Sequence, residues 1–310
     1  MEAIQKKSTG KILVIGASGF VGGNAVKQLL SEGHSVRCLA RSPQKIQNLA
    51  AMGCEVVQGD IADASSLLAT EGVDAVYISI QTLVGQHADT AGQDFMDIEL
   101  KGLQQVVDAC HRNGVRRLIY VTFLGVSATA KSEWVRGRWK AEQLLFNSDL
   151  DVTVIRPGMI VGLGGQGFNM LLANARKRVA IVVGSGNFKF RTIAISDLAF
   201  ILAAVLANKE TYGQAFDIGS NDVFTMNQMI DIAAETIGKK PPVKLHIPTG
   251  IIRTFANLIG RIGKMPEGAM KGMIDSVENE MIGDPTPLNK ILGREMLNFR
   301  QSVQKARANA

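Results

Sequence analysis

Three glycines, Gly16, Gly19 and Gly22, recur at intervals of three in the stretch GASGFVG, directly behind the apolar run KILVI. Glycine has no Cβ, so backbone amides at these positions can approach a charged oxygen closely. A helix starting nearby adds partial positive charge from its free N–H groups. The chemistry this pattern suits is the binding of a diphosphate. A glycine pattern alone is weak evidence, but here a strand precedes it, a helix follows it and a series of strand–helix units comes after. The plain alternative is a glycine-rich turn that holds no ligand.

The end of the second predicted strand bears on which diphosphate. An acid about 20 residues past the glycines would accept a hydrogen bond from an adenosine ribose 2′-hydroxyl. The stretch CLARS has no acid and places Arg41 19 positions after Gly22. A guanidinium pairs well with a 2′-phosphate. The expected cofactor is therefore NADP(H) rather than NAD(H); the alternative is that Arg41 is a solvated loop cation. Lys45 is a second cation nearby. In VVQGDIAD, Asp60 and Ile61 are placed to frame an adenine, one by hydrogen bonding and one by packing, and Asp63 to cap the next helix.

Groups able to move a proton are fewer. Thr122, Ser127, Tyr77 and His87 fall in or near loops at one edge of the predicted sheet, and each also has an ordinary structural reading. His87 alone among them titrates near neutral pH without help.

These residues need a scaffold, and the first half of the chain supplies one. Short Val- and Ile-rich runs predict strands at Lys11–Ile15, Ser35–Ala40, Glu55–Gln58, Ala75–Ile80, Arg117–Thr122 and Val152–Arg156. Between them lie helical patterns at Phe20–Ser31, Ala88–Asn113 and Ser132–Phe146. Such alternation predicts an α/β fold, a Rossmann-type doubly wound parallel sheet whose ligand lies at the carboxyl ends of the strands. The second half is less regular. KFRTIAISDLAFIL reads as a strand and a helix capped by Ser196, with Asp197 at the helix dipole. QAFDIGS reads as a strand, and Thr225 opens another helix that closes at Gly238. The expected division is a nucleotide-binding domain over 1–158, with 189–222 returning to it. A smaller, interleaved, mostly helical substrate or lid region covers 159–188 and 223–310.

Composition sets the remaining limits. The 310 residues are 46% hydrophobic and 20% charged, enough for a sizeable core. No apolar run reaches the ~18 residues needed to span a bilayer. The first residues lack an apolar h-region, so a cytoplasmic protein is expected. Cys38, Cys54 and Cys110 have no metal-ligand spacing, and an odd number argues against a disulfide framework; they read as buried small hydrophobes, and no metal is expected. The net charge of +6 comes without a long basic run interleaved with aromatics, so no nucleic acid partner is expected. The basic helical stretch IIRTFANLIGRIGKMPEGAMKGMI reads either as a lid over the substrate cleft or as a surface for a protein partner or an anionic membrane.

ILVIGASGFVG, VVQGDIAD, GVRRLIYVT, KAEQLL, VTVIRPGMIVG and AISDLAFIL occur in the order seen in extended and atypical short-chain dehydrogenases/reductases, and the resemblance covers nearly the whole chain. It resembles most the atypical NAD(P)H-binding group, which contains NADPH sensors and relatives of a complex I accessory subunit. The resemblance implies that Gly16, Ser18, Gly19, Phe20, Val21 and Gly22 form the pyrophosphate loop. It implies that Arg41 selects NADP and that Asp60 and Ile61 meet the adenine. Ser79 and Ile80 would pass the nicotinamide ribose, and Pro157 to Ile160, Met159 among them, the nicotinamide ring. The family's catalytic pattern is a Ser or Thr after the fifth strand and then Tyr-x-x-x-Lys. Anchored on Glu142, the chain places Leu124, Trp134 and Arg138 in those slots, and all three depart from the pattern. Trp134 donates a hydrogen bond but does not titrate usefully. Arg138 is expected to hold ribose hydroxyls, and Lys140 is the candidate should the helix register slip.

Two functions follow from the resemblance. One is an NADPH-dependent oxidoreductase acting on a small apolar carbonyl, enone or quinone, bound against the segment from Phe168 onward. The other is a catalytically silent NADPH-binding sensor or assembly protein. Either is expected as a monomer or homodimer.

Overall fold

The computed structural model describes residues 10–80, 95–262, 274 and 278–308. Seven parallel strands form the central sheet: β1 (Lys11–Ile15), β2 (Ser35–Ala40), β3 (Glu55–Gln58), β4 (Ala75–Ile78), β5 (Arg117–Val121), β6 (Asp151–Pro157) and β10 (Gln214–Ile218). Their order is β10-β6-β5-β4-β1-β2-β3. The chain runs outward from β1 in both directions, so the β1–β4 boundary is the switch point at which ligands bind in open parallel sheets.

Both faces of the sheet are covered, which is why its strands read as unbroken apolar runs rather than alternating ones. Ile12 and Val14 point to one face and join Ala25 and Leu29 of α1 (Phe20–Ser31) and Leu198 and Leu202 of α6 (Ile195–Ala204). Leu13 and Ile15 point to the other and join Leu103 and Val106 of α3 (Phe95–Arg112) and Ala141 and Leu145 of α4 (Glu133–Phe146). The predicted bounds of β1, β2, β3 and α1 coincide with those observed, while residues 88–94 of the helix predicted over Ala88–Asn113 lie outside the described residues. The three cysteines are free and buried, and burial pushes the Cys110 thiol up to about 12.

Arg117 ties β5 to the start of β6 and to the end of α6. Its buried guanidinium donates to the carbonyls of Val205 (2.7 Å), Leu206 (2.9 Å) and Asp151 (2.6 Å). Two of these acceptors lie just past the last residue of α6, where helix carbonyls otherwise lack partners.

The smaller lobe carries β7 (Met159–Val161), β9 (Lys189–Ala194) and β11 (Val223–Thr225) in one sheet and β8 (Val179–Val183) with β12 (Val243–Ile247) in another. A third core packs α5 (Gln166–Ala175), α7 (Met226–Thr236) and α10 (Phe299–Ala308) around Phe168, Met229 and Phe299. Thr225 opens α7 through a reciprocal capping box with Gln228. The remaining short helices are α2 (Gln47–Ala51), α8 (Thr249–Ile262) and α9 (Thr286–Leu292).

β10 pairs with β6 in the large sheet, whereas β9 pairs with β7 in the small lobe. Leu288 of α9 and Met296 pack into the core of the nucleotide half. α6 begins at Ile195 with Ala194 as its cap, so Ser196 is not the capping residue, and its hydroxyl is buried without a partner among the described residues. Asp197 does sit in the first turn, but it is fully buried, accepting from the Leu297 amide (2.7 Å) and from Arg294 (3.2 Å).

Candidate functional site

The glycine loop crosses the carboxyl end of β1. Gly16 has φ +96°, and a Cβ there would lie 2.1 Å from the Ser79 carbonyl oxygen, while one on Gly22 would lie 2.3 Å from the Gly16 oxygen. These two glycines are demanded by the fold itself. Gly19 differs: its φ is −83°, and a Cβ would meet only the Gly16 oxygen, at 3.2 Å. Its remaining surroundings belong to a cleft of about 300 Å³ lined by Ser18, Gly19, Phe20, Lys27, Lys45 and Asn48 among others. Helix α1 starts here with no side-chain cap and no acid in its first turn. The first N–H groups, on Phe20 and Val21, therefore face an anion-binding position with two lysines nearby. These residues fit a dinucleotide diphosphate. Lys27 was not foreseen; its spacing of four from Gly23 and eight from Gly19 along α1 is the signal that places all three on one face.

Phe20 has a second role. Cβ atoms on Gly162 and Gly165 would fall 3.0 Å and 2.8 Å from its ring, so the ring lies directly on the glycine stretch that leaves β7. The diphosphate loop and the start of the small lobe are thereby in contact.

Arg41 follows β2 directly and is half exposed. With Gln58, Gly59, Asp60, Asp63 and Ser66 it lines a second cleft, of about 380 Å³. Its Nε lies 4.0 Å from Asp60 Oδ2. Asp63 caps the following 3₁₀ turn, accepting from the Ser65 amide at 3.0 Å. Ile61 packs against Gly102 of α3. Arg41 and Asp60, predicted separately for phosphate and adenine, thus share one cleft.

At the far side of the switch point, Ser79 and Ile80 follow β4. The Ser79 amide donates to Ile15 (2.9 Å), and the Ile80 carbonyl accepts from both terminal nitrogens of Arg138 (3.3 Å each). Pro157 ends β6, where its carbonyl accepts from the Leu124 amide (3.0 Å), and Met159 opens β7 opposite Thr192.

The motif helix gives Arg138 partners from two other elements. Arg138 is 2% exposed, and its Nη1 lies 2.5 Å from Glu99 Oε1 and 2.9 Å from the Tyr120 hydroxyl, which itself donates to Glu99 (2.7 Å). A buried carboxylate thus holds one end of the guanidinium, while its Nε finds no acceptor among the described residues. Burial alone lowers the Arg138 pKa, but Glu99 and then Tyr120 outweigh it, and the group stays charged. Glu99 and Tyr120 were not foreseen, because a pair 39 residues apart leaves no local spacing signal. Tyr120 places a phenol beside a cation, yet burial drives its pKa far up despite Arg138, and it is closed to solvent. Lys140 is exposed, so the helix register sets Arg138, not Lys140, inward.

Trp134 is 7% exposed and stacks on Phe123 with ring centroids 4.3 Å apart and planes 17° apart. The Arg138 guanidinium sits 5.9 Å from the indole centroid. Among the described residues the indole N–H finds no acceptor.

The Thr122 hydroxyl donates to Glu142 Oε1 (2.8 Å), and Glu142 is held in turn by Arg156, which reaches Asp217 at 3.7 Å. Thr122 thereby fastens α4 to β5 and β6. Tyr77 is buried, with its hydroxyl donating to the Leu202 carbonyl. His87 lies outside the described residues. In the segment from Phe168, Phe168, Leu171 and Leu172 face the third core, and Met170 is exposed.

The profile of the NAD(P)H-binding family matches residues 16–209. The chain belongs to this family, within the atypical short-chain dehydrogenase/reductase group. NADH dehydrogenase (ubiquinone) 1 alpha subcomplex subunit 9, mitochondrial, of Arabidopsis thaliana is 28% identical over 244 residues, covering 76% of this chain and 60% of that protein's own length. Photosystem II assembly factor Ycf39 of Cyanophora paradoxa is 27% identical over 247 residues, covering 79% of this chain and 74% of the relative. In fold, the chain is similar to an NADPH-dependent quinone oxidoreductase of Escherichia coli solved with NADPH, with a TM-score of 0.73, 21% identity and coverage of 95% and 99% of the two chains.

Proposed function

We propose that this protein is an NADPH-dependent oxidoreductase that reduces an apolar quinone or enone and takes the accompanying proton from solvent. The observation that carries this reading is the Trp134–Phe123 stack beside the sealed Arg138–Glu99–Tyr120 network: the slots that hold a phenol and an ammonium in the family's pattern offer no exchangeable acid. The bound nicotinamide supplies the hydride. The chain's own residues bind and orient. The N–H groups of Phe20 and Val21 with Lys27 and Lys45 hold the diphosphate, Arg41 holds the 2′-phosphate, and Arg138 fixes the Ile80 carbonyl.

The missing acid selects the acceptor. Hydride addition to a simple ketone leaves an alkoxide, about as basic as hydroxide (pKa of water about 15.7). That intermediate needs a positioned acid. Hydride addition to a quinone leaves a phenolate-like anion, whose conjugate acid has a pKa of about 10, as for tyrosine. Such an anion persists long enough to be protonated by water. One acceptor, one NADPH and one proton give one quinol and NADP⁺.

The test is to identify any nucleotide retained on purification and to follow NADPH oxidation against quinones, enones and simple ketones. Turnover with quinones and enones and none with ketones is expected. Turnover with ketones, or a preference for NADH, rejects the proposal.

A second reading has its own support. The same sealed network suits a protein that holds NADPH without using it, and two of its relatives are named for a respiratory complex subunit and a photosystem assembly factor. Tight nucleotide retention with no turnover on any acceptor selects it.

A further inference from the structure

The β8–β12 ribbon leaves one face uncovered. Parallel pairing sets Val179 opposite Val243, Ile181 opposite Leu245 and Val183 opposite Ile247, and side chains of paired residues project to the same side. Val179, Ile181, Val243 and Leu245 are 49%, 48%, 71% and 56% exposed. The alternate residues take the other side: Ala180 and Val182 enter the third core, Lys244 pairs with Asp231 of α7, and His246, itself exposed, bonds Asn227. The chain then passes from β12 into α8, where Ile251 and Phe255, four apart on one side of the helix, are 54% and 52% exposed. Single exposed aliphatics are ordinary, but contiguous rungs of them mark a contact surface.

Charge identifies the contact. Because the two strands are parallel, the segments entering them lie at the same end of the ribbon. One brings Arg176, Lys177 and Arg178, the other Lys239 and Lys240, all exposed. Among the described residues none of these five is ion-paired. Neither strand carries an acid. A second copy of the chain would bring the same cations and no counter-charge. The ribbon face is also purely aliphatic, without the Trp or Tyr anchors that dominate protein–protein contacts. An extended apolar face with a cationic end matches the boundary between anionic headgroups and acyl chains.

We infer that the β8–β12 ribbon docks this protein on an anionic lipid surface, with its aliphatic rungs at the acyl boundary and its five cations among the headgroup phosphates. No helix among the described residues is long and apolar enough to cross a membrane, so the contact is peripheral. It does not depend on the proposed redox activity.

Vesicle co-sedimentation of the full chain tests it, using phosphatidylglycerol–phosphatidylcholine vesicles against phosphatidylcholine alone. Binding to the anionic vesicles, reversed by salt, is expected. Lys239→Gln with Lys240→Gln should weaken it roughly fivefold per charge removed. Ile181→Ser with Leu245→Ser should weaken it independently, and since all four positions are exposed or rim residues, nucleotide binding and thermal midpoint should remain those of the wild type. Equal binding to neutral vesicles, wild-type binding by both variants, or no binding overturns the inference. So does a dimer in light scattering that Ile181→Ser with Leu245→Ser dissolves, or an acidic protein partner captured through the ribbon without vesicle binding.

Discussion

Arg138 of α4 and Glu99 of α3 meet at 2.5 Å in a place where neither touches water, with side-chain exposures of 2% and 0%. Removing one partner of such a pair strands the other charge in the interior, which costs about 3–5 kcal/mol, whereas replacing both with apolar side chains of similar volume is often neutral. Glu99→Leu should therefore lower the unfolding free energy by about 3–5 kcal/mol in urea titrations, and adding Arg138→Met should restore most of the loss. Simple additivity of the two losses would show the pair to be uncoupled.

Two buried tyrosines make stability depend on alkaline pH. Burial raises the pKa of both Tyr77 and Tyr120, so the folded chain keeps protons that the unfolded chain releases near pH 10. The folded state then binds more protons, and stability should be fully present below pH ~10 and fall as pH rises beyond it. Tyr77→Phe should flatten that fall in denaturation curves recorded across the alkaline range. An unchanged slope would mean that Tyr77 titrates normally.

The central sheet was legible because its physics is local. Burial on both faces turns each strand into a short apolar run, and Gly33, at φ +84°, closes α1 two residues past its observed end. The cradle was legible for the same reason, since all its parts lie within one strand–helix unit. That Arg138 would bond Glu99 was not legible, because Glu99 approaches from another helix and no spacing rule connects them. Ser196 shows the same limit. Its local pattern predicts a cap, but Asp197 is drawn inward by Leu297 and Arg294, about a hundred residues away, and α6 starts two residues earlier, capped by Ala194.

Cofactor choice should rest on Arg41 and be tempered by Asp60. Arg41→Ala should weaken NADPH binding by roughly ten- to a hundredfold, as expected for loss of a charged hydrogen bond of about 1.5–3 kcal/mol, with NADH nearly unaffected. Asp60→Asn removes the carboxylate 4.0 Å from the Arg41 guanidinium and should strengthen NADPH binding. Equal effects of Arg41→Ala on both nucleotides in calorimetric titration would contradict the assignment.

The glycines should separate by role. Gly19→Val should abolish nucleotide uptake while circular dichroism stays native, because most of the space around its Cβ belongs to the cleft. Gly22→Ala should destabilise the fold itself, since its Cβ would lie 2.3 Å from a backbone oxygen. A Gly19→Val protein that binds nucleotide normally would move the diphosphate elsewhere.

Trp134→Phe keeps an aromatic ring against Phe123 and removes no proton donor of useful acidity, so quinone turnover should change little. The rate should also be flat around neutral pH. If His87 does supply the proton, a kinetic pKa near ~6.5 will appear and then vanish in His87→Gln. Loss of turnover in Trp134→Phe with intact cofactor binding would assign the indole a part in the chemistry.

The Arg138–Glu99 pair also bears on which substitutions the chain can take. Arg138→Lys would keep a cation opposite Glu99, whose carboxylate would hold the new ammonium as it now holds the guanidinium. Changing Glu99 alone leaves a charge stranded in an interior whose whole margin of stability is about 5–15 kcal/mol. The two positions are therefore locked to each other: a neutral side chain is tolerated at either one only when the other gives up its charge as well.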